Sequence, residues 1–377
     1  MKELFYADPE EKGFSREKLS RALKMICSFS EKSLVSGIEI LVARSRGIVL
    51  HEACGYAQLV PVKRVIRRNM LFDLASLTKA LAGSILAGYL VSEGMIHLKQ
   101  RVSEIIPEFS RTEAGVNETK EKVKIWMLLT HSSGLPAWQP LYKIKSSREE
   151  IIREAVRSFP VYEPGSTALY SDLGYIVLTK VIEEVSSERI DRLYEKIVVK
   201  RLGLRNTLFN PLKSNIDPEE IVSTEVVDNE ALTGVVHDEN ARAMDGVSAH
   251  AGLFSTAIDI AVIAQEIIDS FNERSDLLLP PLYTRAMLDK WVCGDRCYGL
   301  GWWVYDRRIT ESAGDLFQRG YGHTGFTGTS LWIDPSTEII IVLLTNRVHP
   351  SRNNPHINTL RAITHNLVLS SLRKISI

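Results

Sequence analysis

Between Asp73 and Glu93 the chain carries one charge, Lys79. The stretch Ala80–Ser92 beyond it has no charged residue. A helix that is apolar all round belongs in a core, and this one falls well short of the roughly 20 apolar residues needed to span a bilayer. Whatever fold forms must therefore bury a lysine at the head of a core helix. Ser76 lies three residues before it, so the two share one helical face. A serine becomes a useful nucleophile when a base takes its proton, and a lysine can be that base only when neutral. Desolvation disfavours the ammonium, so a downward shift of Lys79 is expected. The same residues read equally well as an N-cap and a snorkelling lysine. Ser-x-x-Lys occurs twice more, at Ser15–Lys18 in a charged segment suited to an N-cap, and at Ser371–Lys374 where lysine suits a helix C-terminus.

The rest of the 377-residue chain shows no repeat or Pro-rich linker. A helix is expected over Ser15–Glu31. Two β-branched runs, Ile38–Val42 and Ile48–His51, flank Arg44–Gly47 and predict an antiparallel hairpin. Ala75 to about Ile268 is mostly helical. Strand patterning returns at Tyr298–Tyr305 and Gly328–Ile333, and closes with the apolar run Ile339–Leu344 after the turn Asp334-Pro-Ser-Thr337. A last helix is expected over His356–Arg373. Strands at both ends with helices between them predict an α+β fold, with an antiparallel sheet assembled from both termini and flanked by the terminal helices. Residues 1–75 and 296–377 would form the sheet part and 76–295 a mainly helical part, within a single catalytic domain.

Two more segments bear on Ser76. Pro164–Gly174 places Tyr170 and Asp172 in a loop before an apolar helix. A phenol beside an ammonium is biased toward phenolate, which makes Tyr170 a candidate proton shuttle; taken alone, the segment reads first as a packing aromatic beside an Asp172 N-cap. Gly320–Gly328 contains G-x-G-x-x-G, but it leads into strand, turn and strand, so a dinucleotide site lacks its helix. A glycine-rich edge strand instead lets a substrate lie close and offers an N–H to an oxyanion.

Ser76-Leu-Thr-Lys79, Tyr170-Ser-Asp172 and His323-Thr-Gly325, in that order, resemble the serine β-lactamase-like hydrolases, which include class C β-lactamases, D-Ala-D-Ala carboxypeptidases, esterases and amidases. Leu129–Pro136, Gly252–Thr256 and Tyr298–Trp302 extend the resemblance over nearly the whole chain. It implies a β-lactamase/transpeptidase-like fold and an acyl-enzyme formed on Ser76. Lys79 and Tyr170 would move the protons, and the backbone N–H groups of Ser76 and Phe326 would form the oxyanion hole. Asp172 stands where the family usually has Asn, and His323 where β-lactamases have lysine. With His323, Thr324 and Gly325 on the strand lining the cleft, the site loses a permanent cation and gains a negative charge. Both changes disfavour β-lactams and favour an esterase, amidase or peptidase.

Val236–Asn240, Ser248–Gly252 and Thr345–Asn354 are dense in His, Asp, Asn and Arg, which suits a polar substrate. They look like a bacterial subgroup concerned with cell-wall sugar-peptide turnover, which includes an N-acetylmuramoyl-L-alanine amidase. A muropeptide or D-amino-acid amide is thus the expected substrate, with His250 and Arg347 as binding candidates. A β-lactamase, a short-chain carboxylesterase and a catalytically inactive receptor are the alternatives. The family chemistry needs no metal or cofactor, although His237, Asp238 and His250 could in principle converge on one. Forty-six basic residues balance 46 acidic ones, which argues against a nucleic-acid partner. The four cysteines are too few for a disulfide scaffold and are expected as reduced thiols. Acidic residues stand near the N-terminus where a signal peptide needs an apolar run, so a cytoplasmic location is expected unless a leader was trimmed before this numbering.

Overall fold

The computed structural model describes residues 3–113, 115–144 and 147–373. Helix α1 (Arg16–Glu31) starts at Ser15, whose side chain caps the Lys18 N–H. Strands β2 (Gly37–Arg44) and β3 (Gly47–Gln58) form the expected hairpin. Its two-residue turn, Ser45 and Arg46, has positive φ at both positions (46° and 67°), the backbone twist that suits a tight hairpin. A short strand β1 (Phe5–Tyr6) pairs parallel with β3.

The C-terminal part supplies β4 (Val292–Cys293), β5 (Cys297–Tyr298), β6 (Trp303–Val304), β7 (Tyr321–Thr324), β8 (Ser330–Asp334) and β9 (Ile339–Thr345). The sheet runs β1-β3-β2-β9-β8-β7-β6-β5-β4, so the strand closing the sequence sits beside the N-terminal hairpin. All of these pairings except β1 with β3 are antiparallel. Strand β9 is apolar from Ile339 to Leu344 because both of its faces are covered. Ile339, Ile341 and Leu343 join the core of Phe14, Ile26 and Leu360, while Ile340, Val342 and Leu344 join that of Leu41, Ile260 and Ile263. Each such side chain contributes about 1.5–3 kcal/mol on burial. Helices α1 and α6 (Ile357–Ser370) pack together on the first side, and α5 (Ala257–Phe271) lies on the second.

Beside this sheet lies the helical part. It includes α2 (Ile85–Ser92), which continues a π-helical turn over Lys79–Ser84, together with α3 (Arg148–Arg157) and α4 (Asp172–Ser186). A small sheet joins Phe72–Asp73 to Leu253–Ser255 and that strand to Leu208–Phe209. It brings the 250 region alongside the entry to Ser76.

Several expectations need correction. The cysteines form two disulfides, Cys27–Cys54 and Cys293–Cys297. The first joins α1 to β3 with Cα atoms 5.7 Å apart; the second joins directly opposed residues of β4 and β5 at 4.0 Å. Their number could not show this, because pairing depends on packing and hairpin register. The run Tyr298–Tyr305 is not one strand but two, β5 and β6, joined through the bend at Gly299–Gly301, where Gly301 has φ of 88°. The last helix is shorter than expected, ending at Ser370, and Lys374 of the third Ser-x-x-Lys lies outside the described residues. No helix among the described residues is long and apolar enough to cross a membrane.

Lys120 is buried, with its ammonium donating to the Val156 carbonyl at 2.6 Å and lying 4.4 Å from the Phe109 ring centre. Burial pushes it down to about 8. The unfolded chain thus holds more protons than the native one above that pH, so stability should rise between about pH 8 and 10, by up to about 3 kcal/mol. Denaturant melts of wild type and Lys120→Met over this range would check it; the two curves should differ in slope, and parallel curves would count against the assignment.

Candidate active site

The approach to Ser76 is built from backbone constraints. Asp73 is buried; its Oδ1 accepts the Ala75 N–H at 2.9 Å and its Oδ2 the His237 N–H at 2.7 Å. Ala75 is thereby held in the left-handed region, with φ of 46°, and the chain turns sharply into Ser76. Ser76 itself lies in this turn, just ahead of the π-helical segment. Lys79 is fully buried, and its Nζ lies 3.1 Å from Ser76 Oγ and 3.0 Å from the His250 carbonyl.

Asp172 changes the reading of Lys79. Its Oδ1 lies 2.7 Å from Lys79 Nζ, an ion pair whose angles fall short of a hydrogen bond. The surroundings are therefore not charge-free, because a carboxylate more than ninety residues away in sequence faces the ammonium. Asp172 is available for this because Ser171, not Asp172, is the N-cap of α4, accepting the Gly174 N–H at 3.0 Å.

Tyr170 lines the same cavity as Ser76, and Lys79 Nζ lies 4.9 Å from its ring centre. The expected bias toward phenolate is reversed. Burial and then the Asp172 carboxylate push the phenol well above its usual range, so Tyr170 holds its proton at neutral pH. His131 packs 4.5 Å from the Tyr170 ring and accepts the Ser171 N–H at 3.0 Å, which sets the loop carrying both motif residues. Burial, with a contribution from Lys79, holds His131 well below its ordinary value.

Strand β7 forms the opposite wall. Its partner β6 reaches only Tyr321 and Gly322, so His323 and Thr324 lie beyond that pairing. The adjoining loop is tied to the backbone ahead of the serine: the Thr327 hydroxyl donates to the Asp73 carbonyl at 2.8 Å and Thr329 to Leu74 at 3.0 Å. Gly325 is required here, since a Cβ would overlap the Leu74 carbonyl and the Thr329 hydroxyl. From α6, Arg361 donates to the Gly325 and Thr329 carbonyls at 2.7 and 2.8 Å. Arg347 donates to the Phe326 carbonyl at 2.8 Å and to Arg352 and Asn354 carbonyls at 3.0 Å, with its guanidinium 4.3 Å from the Phe326 ring centre. Among the described residues the N–H groups of Ser76 and Phe326 find no acceptor in the chain.

These parts open on one cavity of about 400 Å³, lined by Ser76, Tyr170, Thr324, Gly325, Phe326 and Arg347 among others. A larger cleft, about 760 Å³, lies beside the Cys27–Cys54 bridge and contains none of Ser76, Lys79 or Tyr170. His323 is buried, with Nδ1 against the Thr324 carbonyl at 2.8 Å and its ring 4.7 Å from Trp303. His250 is buried as well, its nitrogens engaged by Ser248 (2.7 Å) and Asp238 (2.9 Å), and it reaches the site through its carbonyl. His237 pairs with Glu225, so His237, Asp238 and His250 do not converge; no group of three or more His, Cys, Asp or Glu among the described residues is placed to hold a metal. Sequence reasoning missed Asp73, His131, Arg296, Trp303 and Arg361. The segment Tyr298–Trp302 pointed near two of them, but nothing in the pattern singled out Arg296 or Arg361.

Comparison with known proteins decides the family: residues 24–366 match the model of the family described as beta-lactamase. The chain belongs to that family. A Salmonella agona protein provisionally named a D-alanyl-D-alanine carboxypeptidase is 35% identical over 93% of this chain and 88% of its own length. A Salmonella typhi protein with the same name matches to the same extent. Among solved structures, EstCE1, a hydrolase with promiscuous acyltransferase activity, superposes with a TM-score of 0.76 at 22% identity, covering 94% of this chain and 99% of its own. An octameric penicillin-binding protein homologue from Pyrococcus abyssi gives 0.73 at 21%, covering 93% and 77%. The fold is the mixed α+β arrangement of these proteins, and the chain is a serine hydrolase of the β-lactamase family.

Burial holds the His323 imidazole well below its ordinary value, with Lys79 acting in the same direction, so it is neutral at physiological pH and supplies no cation to the cleft. Its ring resonances should therefore stay flat across roughly pH 5.5 to 7.5 in a histidine NMR titration. A step centred near 6.5 would show that it titrates freely.

Proposed function

We propose that Ser76 is the nucleophile of an acyl-enzyme mechanism and that the substrate is a cell-wall-derived amide, a muropeptide or a D-alanyl peptide. The observation that carries this reading is the placement of Ser76 Oγ. It lies 3.1 Å from a buried lysine and stands in one cavity with Tyr170 and with Phe326, whose N–H, like that of Ser76, has no acceptor in the chain.

As an ammonium, Lys79 donates to Ser76 and cannot accept its proton. It becomes the base after passing a proton to Asp172, the carboxylate at 2.7 Å. Ser76 Oγ then attacks the carbonyl carbon and its proton goes to Lys79. The oxyanion is held by the Ser76 and Phe326 N–H groups, each such donor being worth about 3–4 kcal/mol in the transition state. Tyr170, kept protonated by its surroundings, gives its proton to the leaving amine and is refilled from Lys79. Water then cleaves the acyl-enzyme by the reverse proton path.

Several observations support a polar, acidic substrate. Arg296, Arg347 and Arg361 all line the cavity, and the relatives named for D-alanyl-D-alanine peptides act, by that name, on a carboxylate-bearing chain. A neutral-ester reading is supported by the likeness to EstCE1, and its test is the same. Two disulfides support an oxidising compartment over the cytoplasm, since such bonds are rare where thiols are kept reduced.

A fluorophosphonate or penicillin probe should label wild type at Ser76 and leave Ser76→Ala unlabelled, with turnover of a p-nitrophenyl ester or D-alanyl dipeptide falling at least about a thousandfold. Absence of labelling at any pH would favour a receptor without catalysis. Asp172→Asn leaves no carboxylate to take the Lys79 proton, so kcat on the p-nitrophenyl ester should fall on the order of a hundredfold. An unchanged kcat would exclude the Lys79–Asp172 pair from the proton path.

A further inference from the structure

One hairpin at the cavity mouth takes no part in the mechanism above. Strands β4 and β5 are closed by Cys293–Cys297, and only Gly294, Asp295 and Arg296 lie between the bridged cysteines. This turn lies flush on the chain leading to Tyr170, because a Cβ on Gly294 would overlap the Ala168 backbone. Arg296 projects from it into the cavity that holds Ser76. Its guanidinium lies 4.3 Å from the Trp303 ring centre, and its Nη1 donates to Asp295 at 2.9 Å. Asp295 is held in turn by the Tyr298 hydroxyl at 2.8 Å. The Arg296 charge is felt at Tyr170, His323 and Arg361, so it lies within electrostatic reach of the reacting groups.

The other two arginines of the cavity are committed to the frame. Arg361 is buried and holds the Gly325 and Thr329 carbonyls, and Arg347 holds those of Phe326, Arg352 and Asn354. His323 is neutral. Arg296, with 37% of its side chain exposed, is the cavity cation placed to meet a ligand. A guanidinium stacked on an indole is held in plane and can present two parallel N–H groups to a carboxylate. Asp295 compensates part of its charge, but one carboxylate does not use all five donors of the fork.

We propose that Arg296 is a specificity-determining residue that selects substrates carrying a carboxylate, and that the Cys293–Cys297 bridge is what positions it. The inference rests on the Ser76 reading above for its substrate and deepens it. Opening the bridge would loosen a three-residue turn whose only side chain in the cavity is Arg296, so selectivity should fall before the chemistry does.

The test uses a matched pair of D-alanyl peptides differing only in a terminal carboxylate or carboxamide. The ratio of kcat/KM for the two should favour the carboxylate in wild type and drop about tenfold in Arg296→Gln, with most of the loss in KM. Arg296→Lys should retain part of the preference. Cys293→Ser combined with Cys297→Ser should lower the ratio while the Cys27–Cys54 bridge stays intact. An unchanged ratio in Arg296→Gln, or an equal fall for both peptides, would overturn the role of Arg296; an unchanged ratio in the paired serine variant would overturn the role of the bridge. Should the serine variant fail to fold, the ratio is read with a dithiol reductant on wild type and on Cys27→Ser combined with Cys54→Ser, in which Cys293–Cys297 is the one bridge to open. A fall in both assigns the effect to that bridge, and no fall in the second overturns it. Each disulfide takes two electrons and two protons to become two thiols while the reductant becomes a disulfide. A p-nitrophenyl ester assay with Ser76→Ala separates the two levels. If ester turnover survives that change, the Ser76 reading fails, and binding of N-acyl-D-alanine against its amide by calorimetry then decides Arg296 alone.

Discussion

An ammonium with no exposed surface needs compensation, and the compensation around Lys79 organises the structure on both sides of the cleft. The Asp172 carboxylate comes from the start of α4 and the His250 carbonyl from the strand region beside Phe72–Asp73. Each fixes a different segment to the π-helical turn that carries Lys79. Burial, and after it the ion pair, sets the character of the neighbouring groups. Burial and then the carboxylate raise the Tyr170 phenol, and burial and then the ammonium keep His131 and His323 neutral. The result is a site with a protonated phenol, two neutral imidazoles and a serine hydroxyl facing a lysine.

The second wall depends on a different device. Three elements distant in sequence meet at the loop after β7: the backbone before Ser76, the loop itself, and Arg361 from α6. Thr327 and Thr329 tie the first two together, and Arg361 holds the carbonyls of the loop from behind. With those carbonyls occupied by structural donors, the N–H groups of Phe326 and Ser76, two residues that line one cavity, are left without an acceptor among the described residues. For the proposed oxyanion hole this bracing matters, because fixed donors are what make such a hole effective.

Much of this was legible in the residues. The hairpin at Arg44–Gly47, the buried run Ile339–Leu344 and the Ser15 cap arise from local pattern, because period, turn chemistry and capping act over a few residues. The Ser76, Tyr170 and His323 segments could be placed on a turn, a loop and a strand for the same reason. Tyr298–Tyr305 misled because glycine permits both an extended run and a bend, and Gly301 takes the bend. The cysteines misled because their count says nothing about distance.

The chain alone determined the element types, the identity of the β-lactamase-like motifs and the necessity of burying one lysine at the head of an apolar helix. Those properties depend on residue chemistry and on neighbours within a turn or two. Tertiary structure alone decided how closely Asp172 approaches that lysine, that Tyr170 keeps its proton, that Arg361 braces the loop after β7, and that a bridged turn sets Arg296 over the cavity. Each is an electrostatic or packing relation between segments tens to hundreds of residues apart, and such relations have no value until folding sets the distance.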